Sequence, residues 1–284
     1  MVKTPLVIVG AYGMLGQDLE KEFAAEKPVL LDRDTMDITD INAVRSVLSK
    51  IKPGTVINAA AYNMVDDAEE EPGKTIAGKV NGEGPKNIAI VCAELNATFL
   101  HYSSDYVFDG TNQDGYAEDA QTGPQSAYAS SKLQGEENVL AQMGKMYVVR
   151  TCKLFGQPAV SEGAKKSFVD VMLTLAETKD TLDIVDEEFA SPTYTPDLAH
   201  QTRVLLEGDY KPGMYHITNS GGCTWFEFAQ EIFNAAGVDI TLNKVTSDAF
   251  PRPASRPKFS VLLNTKLPAM RSWQEAVREY IANR

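Results

Sequence analysis

The sequence predicts a doubly wound α/β fold: a parallel sheet flanked by helices, followed by a smaller C-terminal lobe. Short apolar runs alternate with helical patterns through the first half, a glycine-spaced loop directly follows the first run, and the rhythm changes near residue 150.

"LVIV" (6–9), "VLL" (29–31), "VINAA" (56–60), "TFLHYS" (98–103) and "MYVVR" (146–150) read as strands. They are uniformly apolar rather than alternating, as strands covered on both faces are. Helical segments near 13–25, 40–50, 83–95 and 126–142 stand between most of them, which makes βαβ units. Residues 1–150 are therefore expected to form a dinucleotide-binding domain. Residues 151–284 are expected to form mainly a substrate lobe, with some segments returning to the first domain. In that second part "SFVDVMLTLAETK" (167–179) predicts a helix and "TLDIV" (181–185) a strand. "YTPDLAHQTRVLLEG" predicts a helix with Thr195 as N-cap and Pro196 at its first position. "TWFEFAQEIFNAAG" carries a capping box, Thr224 and Glu227, and a glycine stop, Gly237. The proline-rich stretch 247–260 is too broken for regular structure. No repeat or low-complexity linker divides the chain, so one body with a cleft between lobes is expected.

Bulk properties narrow the function. The net charge is −12 with no basic cluster, which argues against nucleic acid or an anionic membrane as partner. Cys92, Cys152 and Cys223 are widely spaced and only three histidines are present, so neither a disulfide framework nor a metal centre is expected. The apolar run at the N-terminus is too short for a signal peptide or membrane span, and a cytoplasmic location is expected.

Gly10, Gly13 and Gly16 follow the first strand and open a helix. That arrangement lets backbone N–H groups approach a pyrophosphate at a helix N-terminus. Asp32 ends the second strand, where a carboxylate can accept the adenosine ribose hydroxyls; the adjacent Arg33 suits a 2′-phosphate instead. NADPH and NADH are both expected to serve. Ser103, Ser104 and Asp105 sit at the C-terminal end of a strand, where ligands bind in such sheets. In "YASSK" (128–132) Tyr128 and Lys132 stand one helical turn apart. The lysine ammonium and a cationic nicotinamide are expected to bring the phenol nearer working pH. With Ser104 as second donor, Tyr128 can protonate the alkoxide that forms when a carbonyl is reduced.

These motifs together resemble the extended short-chain dehydrogenase/reductases, whose nucleotide domain is Rossmann-type. "NAAAY" (58–62), "VDDAEEEP" (65–72), "SSDYVFDG" (103–110), "YASSKLQGE" (128–136), "VVRT" (148–151) and "RPASRPKFSVLLNT" (252–265) resemble, more narrowly, the dTDP-4-dehydrorhamnose reductases. The resemblance spans almost the whole chain. It implies an NAD(P)H-dependent oxidoreductase that reduces the 4-keto group of a nucleotide-linked 6-deoxy sugar for polysaccharide biosynthesis. It leaves the oligomeric state open between monomer and homodimer. It makes Tyr128 the proton donor and Lys132 the residue that binds the nicotinamide ribose. Gly13, Met14 and Leu15, with Gly10, Tyr12 and Gly16, are expected at the pyrophosphate, and Asp37 and Ile38 at the adenine. Ala60, Ala61, Tyr62, Asn63 and Tyr102 are expected on the nicotinamide side. Val65, Asp105 and Tyr106 are expected to meet the substrate together with Ser104 and Tyr128, and Arg256 to bind its diphosphate.

The chain departs from that family in the substrate half. Lys153 in "RTCKLFG" stands where the family usually has tryptophan, Ser167 replaces an asparagine, and "DEEFASPT" (186–193) departs from the usual pattern. Lys153 is accordingly expected among the residues that choose the sugar. Two other readings share the same motifs. One is a non-catalytic NADP-binding subunit resembling the regulatory subunit of methionine adenosyltransferase, which has a similar "SSDYVFDGTN" (103–112). The other is a nucleotide-sugar epimerase or dehydratase.

Overall fold

The computed structural model describes residues 1–160 and 165–284. Strand β1 (Leu6–Val9) leads into helix α1 (Met14–Glu22), and β2 (Val29–Leu31) into α2 (Ile41–Ile51). Asp40 caps α2 by accepting from the Asn42 N–H at 2.8 Å. After β3 (Thr55–Asn58), α3 (Gly73–Ala77) runs through a π-helical stretch (Gly78–Glu83) into α4 (Gly84–Glu94). Strand β4 (Thr98–Ser104), α5 (Ala127–Leu140) and β5 (Met146–Thr151) complete the first half. The second half contains β6 (Leu154–Phe155), α6 (Phe168–Ala176), β7 (Thr181–Val185), β8 (Thr193–Tyr194) and α7 (Thr195–Glu207). It continues with β9 (Gly213–His216), α8 (Trp225–Ala236), β10 (Thr241–Val245) and α9 (Trp273–Ala282).

The main sheet has the order β2-β1-β3-β4-β5-β9, and each pair of neighbours is parallel. Successive strand residues feed opposite cores. Leu6 and Ile8 of β1 join Leu19 and Leu198 on one face, while Val7 and Val9 join Val44, Ile88 and Val148 on the other. From β1 the chain steps to β2 on one side and β3 on the other. That reversal opens a crevice at the carboxyl ends of the strands. β9 pairs with β5 and α7 packs on α1, so these segments of the second half belong to the sheet's own layers. A third core gathers Phe155, Met172, Leu182, Phe228, Trp273 and Tyr280 around α6, α8 and α9. Among the described residues no helix is long and apolar enough to cross a membrane.

Two helix starts refine the sequence reading. Thr195 does not cap α7; Tyr194 holds that position, and the Thr195 hydroxyl donates to the buried Asp18 carboxylate at 2.7 Å. The helix begins one residue earlier than the sequence predicts, which makes Thr195 its first residue and Pro196 its second. Ser167 caps α6 by accepting from the Asp170 N–H at 3.2 Å and donating to its carboxylate at 2.6 Å. The expected capping box of Thr224 and Glu227 is present, and Gly237 ends α8 at φ +65°.

Candidate active site

The three glycines after β1 do three different jobs. Gly10 has φ +77°, and a Cβ there would lie 2.6 Å from the Ala60 nitrogen. A Cβ on Gly16 would lie 2.2 Å from the Gly10 carbonyl oxygen, so only glycine lets α1 start this close to the loop. Gly13 is the N-cap of α1 and has space around it; a Cβ would meet only the Gly10 oxygen, at 3.3 Å. No side chain caps α1, which leaves its first-turn N–H groups available to a pyrophosphate. That open cradle is where the chain fits a dinucleotide. Leu15 is buried in the core, so only its backbone can serve there, whereas the Tyr12 side chain is exposed. Gly16→Ala is expected to weaken dinucleotide binding by about 5- to 150-fold, because relieving such an overlap costs ~1–3 kcal/mol. Titration calorimetry measures it, with circular dichroism confirming the fold.

Asp32 is anchored as a turn: Oδ1 accepts from the Thr35 N–H at 3.0 Å and the Thr35 hydroxyl at 2.7 Å. Those bonds hold its carboxyl below the usual range, so it stays anionic toward a ribose. Arg33 is exposed beside it. Asp37 forms a similar turn with Thr39 and is likewise shifted down, and the Ile38 carbonyl accepts from Asn87 at 2.9 Å.

Across the crevice, Asn81 organises the loop after β3. This fully buried residue of the π-helical stretch accepts from the Tyr62 N–H at 2.8 Å and donates to the Tyr62 carbonyl at 3.0 Å and to the Ser131 hydroxyl at 3.1 Å. It thereby fixes the 60–63 loop against the helix that carries Tyr128 and Lys132. Sequence reading missed it; the available signal was an asparagine among glycines in "VNGEG" (80–84), a poor helical run.

Ser126 caps α5 by accepting from the Ala129 N–H at 3.1 Å, which sets the helix phase. Lys132 is 2% exposed and donates to the Tyr102 carbonyl at 2.6 Å. Burial lowers its pKa to about 8, with Glu136 pulling the other way. Tyr102 serves through that carbonyl alone. Its side chain points to the opposite face, where its hydroxyl meets Thr202 at 2.6 Å.

Tyr128 is 7% exposed, packs edge-on against Tyr106 at 5.9 Å, and donates a long 3.5 Å bond to Asn63 Oδ1. Here the structure corrects the expected pKa direction. Burial, with Asp105 adding to it, pushes the phenol up, and the neighbouring Ser104 hydroxyl only partly opposes this. Lys132 does not offset the burial, because its ammonium is aimed at the Tyr102 carbonyl. The phenol is consequently a protonated donor throughout the working range.

The substrate-side residues divide. Val65 and Tyr106 pack with Tyr128 in an apolar cluster. The Asp105 carboxylate is turned into the protein rather than toward the crevice, and it accepts from Ser104, Cys152 and Ser260. Lys153 has φ +43°, and its ammonium lies 3.9 Å from the centre of the Trp225 ring. It donates to the Glu188 and Cys223 carbonyls at 3.3 and 3.4 Å, and burial lowers its pKa. Trp225, another residue the sequence reading missed, donates its indole N–H to Glu188 at 2.8 Å. Arg256 is gripped bidentately by Asp66 at 2.7 Å and 2.7 Å, so a diphosphate there must compete with that carboxylate.

Comparison with known proteins adds to this geometry. A family model described as the RmlD substrate binding domain matches residues 4–284. A dTDP-4-dehydrorhamnose reductase of Streptomyces griseus is 39% identical over 288 residues, covering 96% of this chain and 91% of the relative. A crystal structure of a dTDP-4-dehydrorhamnose reductase from Clostridium acetobutylicum superposes with a TM-score of 0.91 at 38% identity, covering 98% of each chain. Another, from Bacillus anthracis in complex with NADP, has a TM-score of 0.91 at 32% identity, covering 98% of this chain and 99% of that one.

Proposed function

The chain belongs to the RmlD substrate-binding-domain family, and on that footing we propose that it reduces the 4-keto group of a dTDP-linked 6-deoxy sugar with NADPH or NADH. The leading substrate is dTDP-4-dehydro-L-rhamnose, which would give dTDP-L-rhamnose. One observation carries the reading: a buried Tyr128 phenol beside Ser104, at the same carboxyl edge of the sheet as the uncapped start of α1.

When bound, the cofactor supplies the hydride that reduces the carbonyl carbon. The first-turn N–H groups of α1 hold the pyrophosphate, and Asp32 with Arg33 hold the adenosine ribose. Lys132, its ammonium held by the Tyr102 carbonyl, is the residue that would hydrogen-bond the nicotinamide ribose. Tyr128 Oη gives its proton to that oxygen as charge develops there, and Ser104 Oγ steadies the same atom. Burial that raises the phenol pKa favours this direction, since reduction needs the protonated form.

Mixing the protein with NADPH and a panel of dTDP- and UDP-linked 4-keto-6-deoxy sugars tests the proposal. Cofactor consumption is expected with dTDP-4-dehydro-L-rhamnose; consumption with none of them sinks the reading. Lys153, a cation on the substrate side, favours a second reading in which another dTDP-4-keto sugar is preferred. Lys153→Trp then decides: no gain in kcat/KM on the rhamnose precursor means that residue 153 does not set sugar choice.

The Lys132 pKa gives a signed pH dependence. Its folded value, about 8, lies below the unfolded 10.5, so the ammonium is lost from the folded protein as pH rises through about 8. NADPH affinity is expected to fall above that point. The stability contribution runs oppositely, because the unfolded chain binds more protons between the two values and this group favours folding increasingly as pH rises there. Kd and Tm measured across that window are expected to report weaker binding while deprotonation of Lys132 favours the fold. NADPH affinity flat through pH 8 to 10 would contradict the assignment.

A further inference from the structure

Asp105 follows β4 directly and is 2% exposed. Donors from three separate segments converge on its carboxylate. Ser104 Oγ donates to Oδ1 at 3.0 Å, Cys152 Sγ to Oδ2 at 3.0 Å and Ser260 Oγ to Oδ2 at 2.6 Å. A carboxylate offers about four acceptor directions, so three are spent inside the protein. Ser104 is equally constrained: its one proton goes to Asp105, and its oxygen accepts from the Tyr106 N–H at 3.2 Å. The hydroxyl beside the proton-donating phenol thus has its rotamer set by a residue facing away from the crevice.

We propose that Asp105 is a positioning residue of the reduction: anchored by Cys152 and Ser260, it fixes the Ser104 hydroxyl beside Tyr128 and does not itself touch the substrate. Cys152 directly follows β5 and Ser260 belongs to the proline-rich segment, so the anchor ties the carboxyl ends of β4 and β5 to the C-terminal lobe. The charged or titratable groups acting on Asp105 are Cys152 and Lys153 after β5, while Asp105 itself acts on Tyr106 of its own turn and on Tyr128 of α5. When substrate enters, the Ser104 proton is shared between Asp105 and the substrate oxygen, and the carboxylate keeps the serine oxygen in place while the proton turns.

A double-mutant cycle tests this, because residues acting through one another give non-additive losses. Asp105→Asn keeps the shape but holds the serine less firmly; it is expected to lower kcat by about tenfold with little change in KM for the nucleotide sugar. In a Ser104→Ala background the same change is expected to alter kcat by less than about twofold. Cys152→Ser, which retains a donor, is expected to keep kcat near wild type, whereas Cys152→Ala lowers it. Should Asp105→Asn fail to fold, Ser260→Ala paired with Ser104→Ala runs the same cycle from the far side of the carboxylate. Additive losses, or a raised KM with kcat preserved, overturn the proposal. It rests on the reductase reading, but the two fail differently: wild-type inactivity on every keto sugar sinks that reading, while additivity in an active enzyme sinks this proposal alone.

Discussion

Replacing Tyr128 by phenylalanine is expected to lower kcat by about 10²–10⁴-fold, the range that general acid catalysis contributes, while leaving NADPH affinity nearly unchanged. The separation follows from what the phenol touches. Its ring is packed against Tyr106 and the small Val65, Ala68 and Ala77 cluster, contacts that phenylalanine keeps. Its hydroxyl makes only a long bond to Asn63, so its removal leaves no strongly bonded partner stranded. Stability should therefore change little, and kcat alone should collapse. Stopped-flow turnover alongside calorimetric NADPH titration separates the two quantities. A variant retaining more than about a tenth of wild-type kcat would remove Tyr128 from the proton-transfer role.

Arg150→Met should produce the largest loss of stability. Arg150 and Glu136 are both almost fully buried and paired bidentately at 2.8 and 2.6 Å. The guanidinium also lies 4.9 Å from the centre of the Phe108 ring and approaches the Glu118 carbonyl at 3.4 Å. His216 completes the set. Its Nδ1 donates to the Leu263 carbonyl at 3.1 Å, which leaves Nε2 to accept from Arg150 at 3.4 Å; burial and the arginine charge hold its pKa down to about 4. Removing the arginine strands a buried carboxylate, which costs about 3–5 kcal/mol. For a chain of this size that is a fall in Tm of order 10 °C. The double variant Glu136→Met with Arg150→Met removes both charges and is expected to recover most of the loss. Glu136 is also one turn from Lys132 and raises its pKa, so the double variant should move the Lys132 transition below about 8. Equal Tm values for the single and double variants would mean that the pair is not what holds this region.

The legibility of this molecule from its sequence follows the range of the interactions. Five of the six strands of the main sheet, the capping box at Thr224 and the Gly10–Gly16 loop show in patterns a few residues long, and these were readable; β9 (Gly213–His216), a short edge strand beside β5, was not. Tyr128 and Lys132 were readable for the same reason, since four positions on a helix fix their relation. Long-range contacts were not. Asn81 works through Tyr62 and Ser131, residues 19 and 50 positions away. Thr195 lies inside α7 and donates to Asp18, 177 positions distant. Trp225 meets Lys153 only because α8 packs beside the segment that follows β5, and Arg256 finds Asp66 across 190 positions. The Tyr128 pKa direction belongs to the same class. Charge proximity could be inferred from spacing, but the burial that outweighs it comes from the folded surroundings.

Isotope transfer tests the central claim most directly. The protein is given dTDP-4-dehydro-L-rhamnose and NADPH carrying deuterium at the transferable position, and the sugar product is examined by NMR. The account predicts deuterium at C4 of the product in wild type and none above background for Tyr128→Phe on the same timescale. Deuterium retained in the cofactor, with no C4-labelled sugar formed from any dTDP-linked 4-keto-6-deoxy substrate, would contradict it.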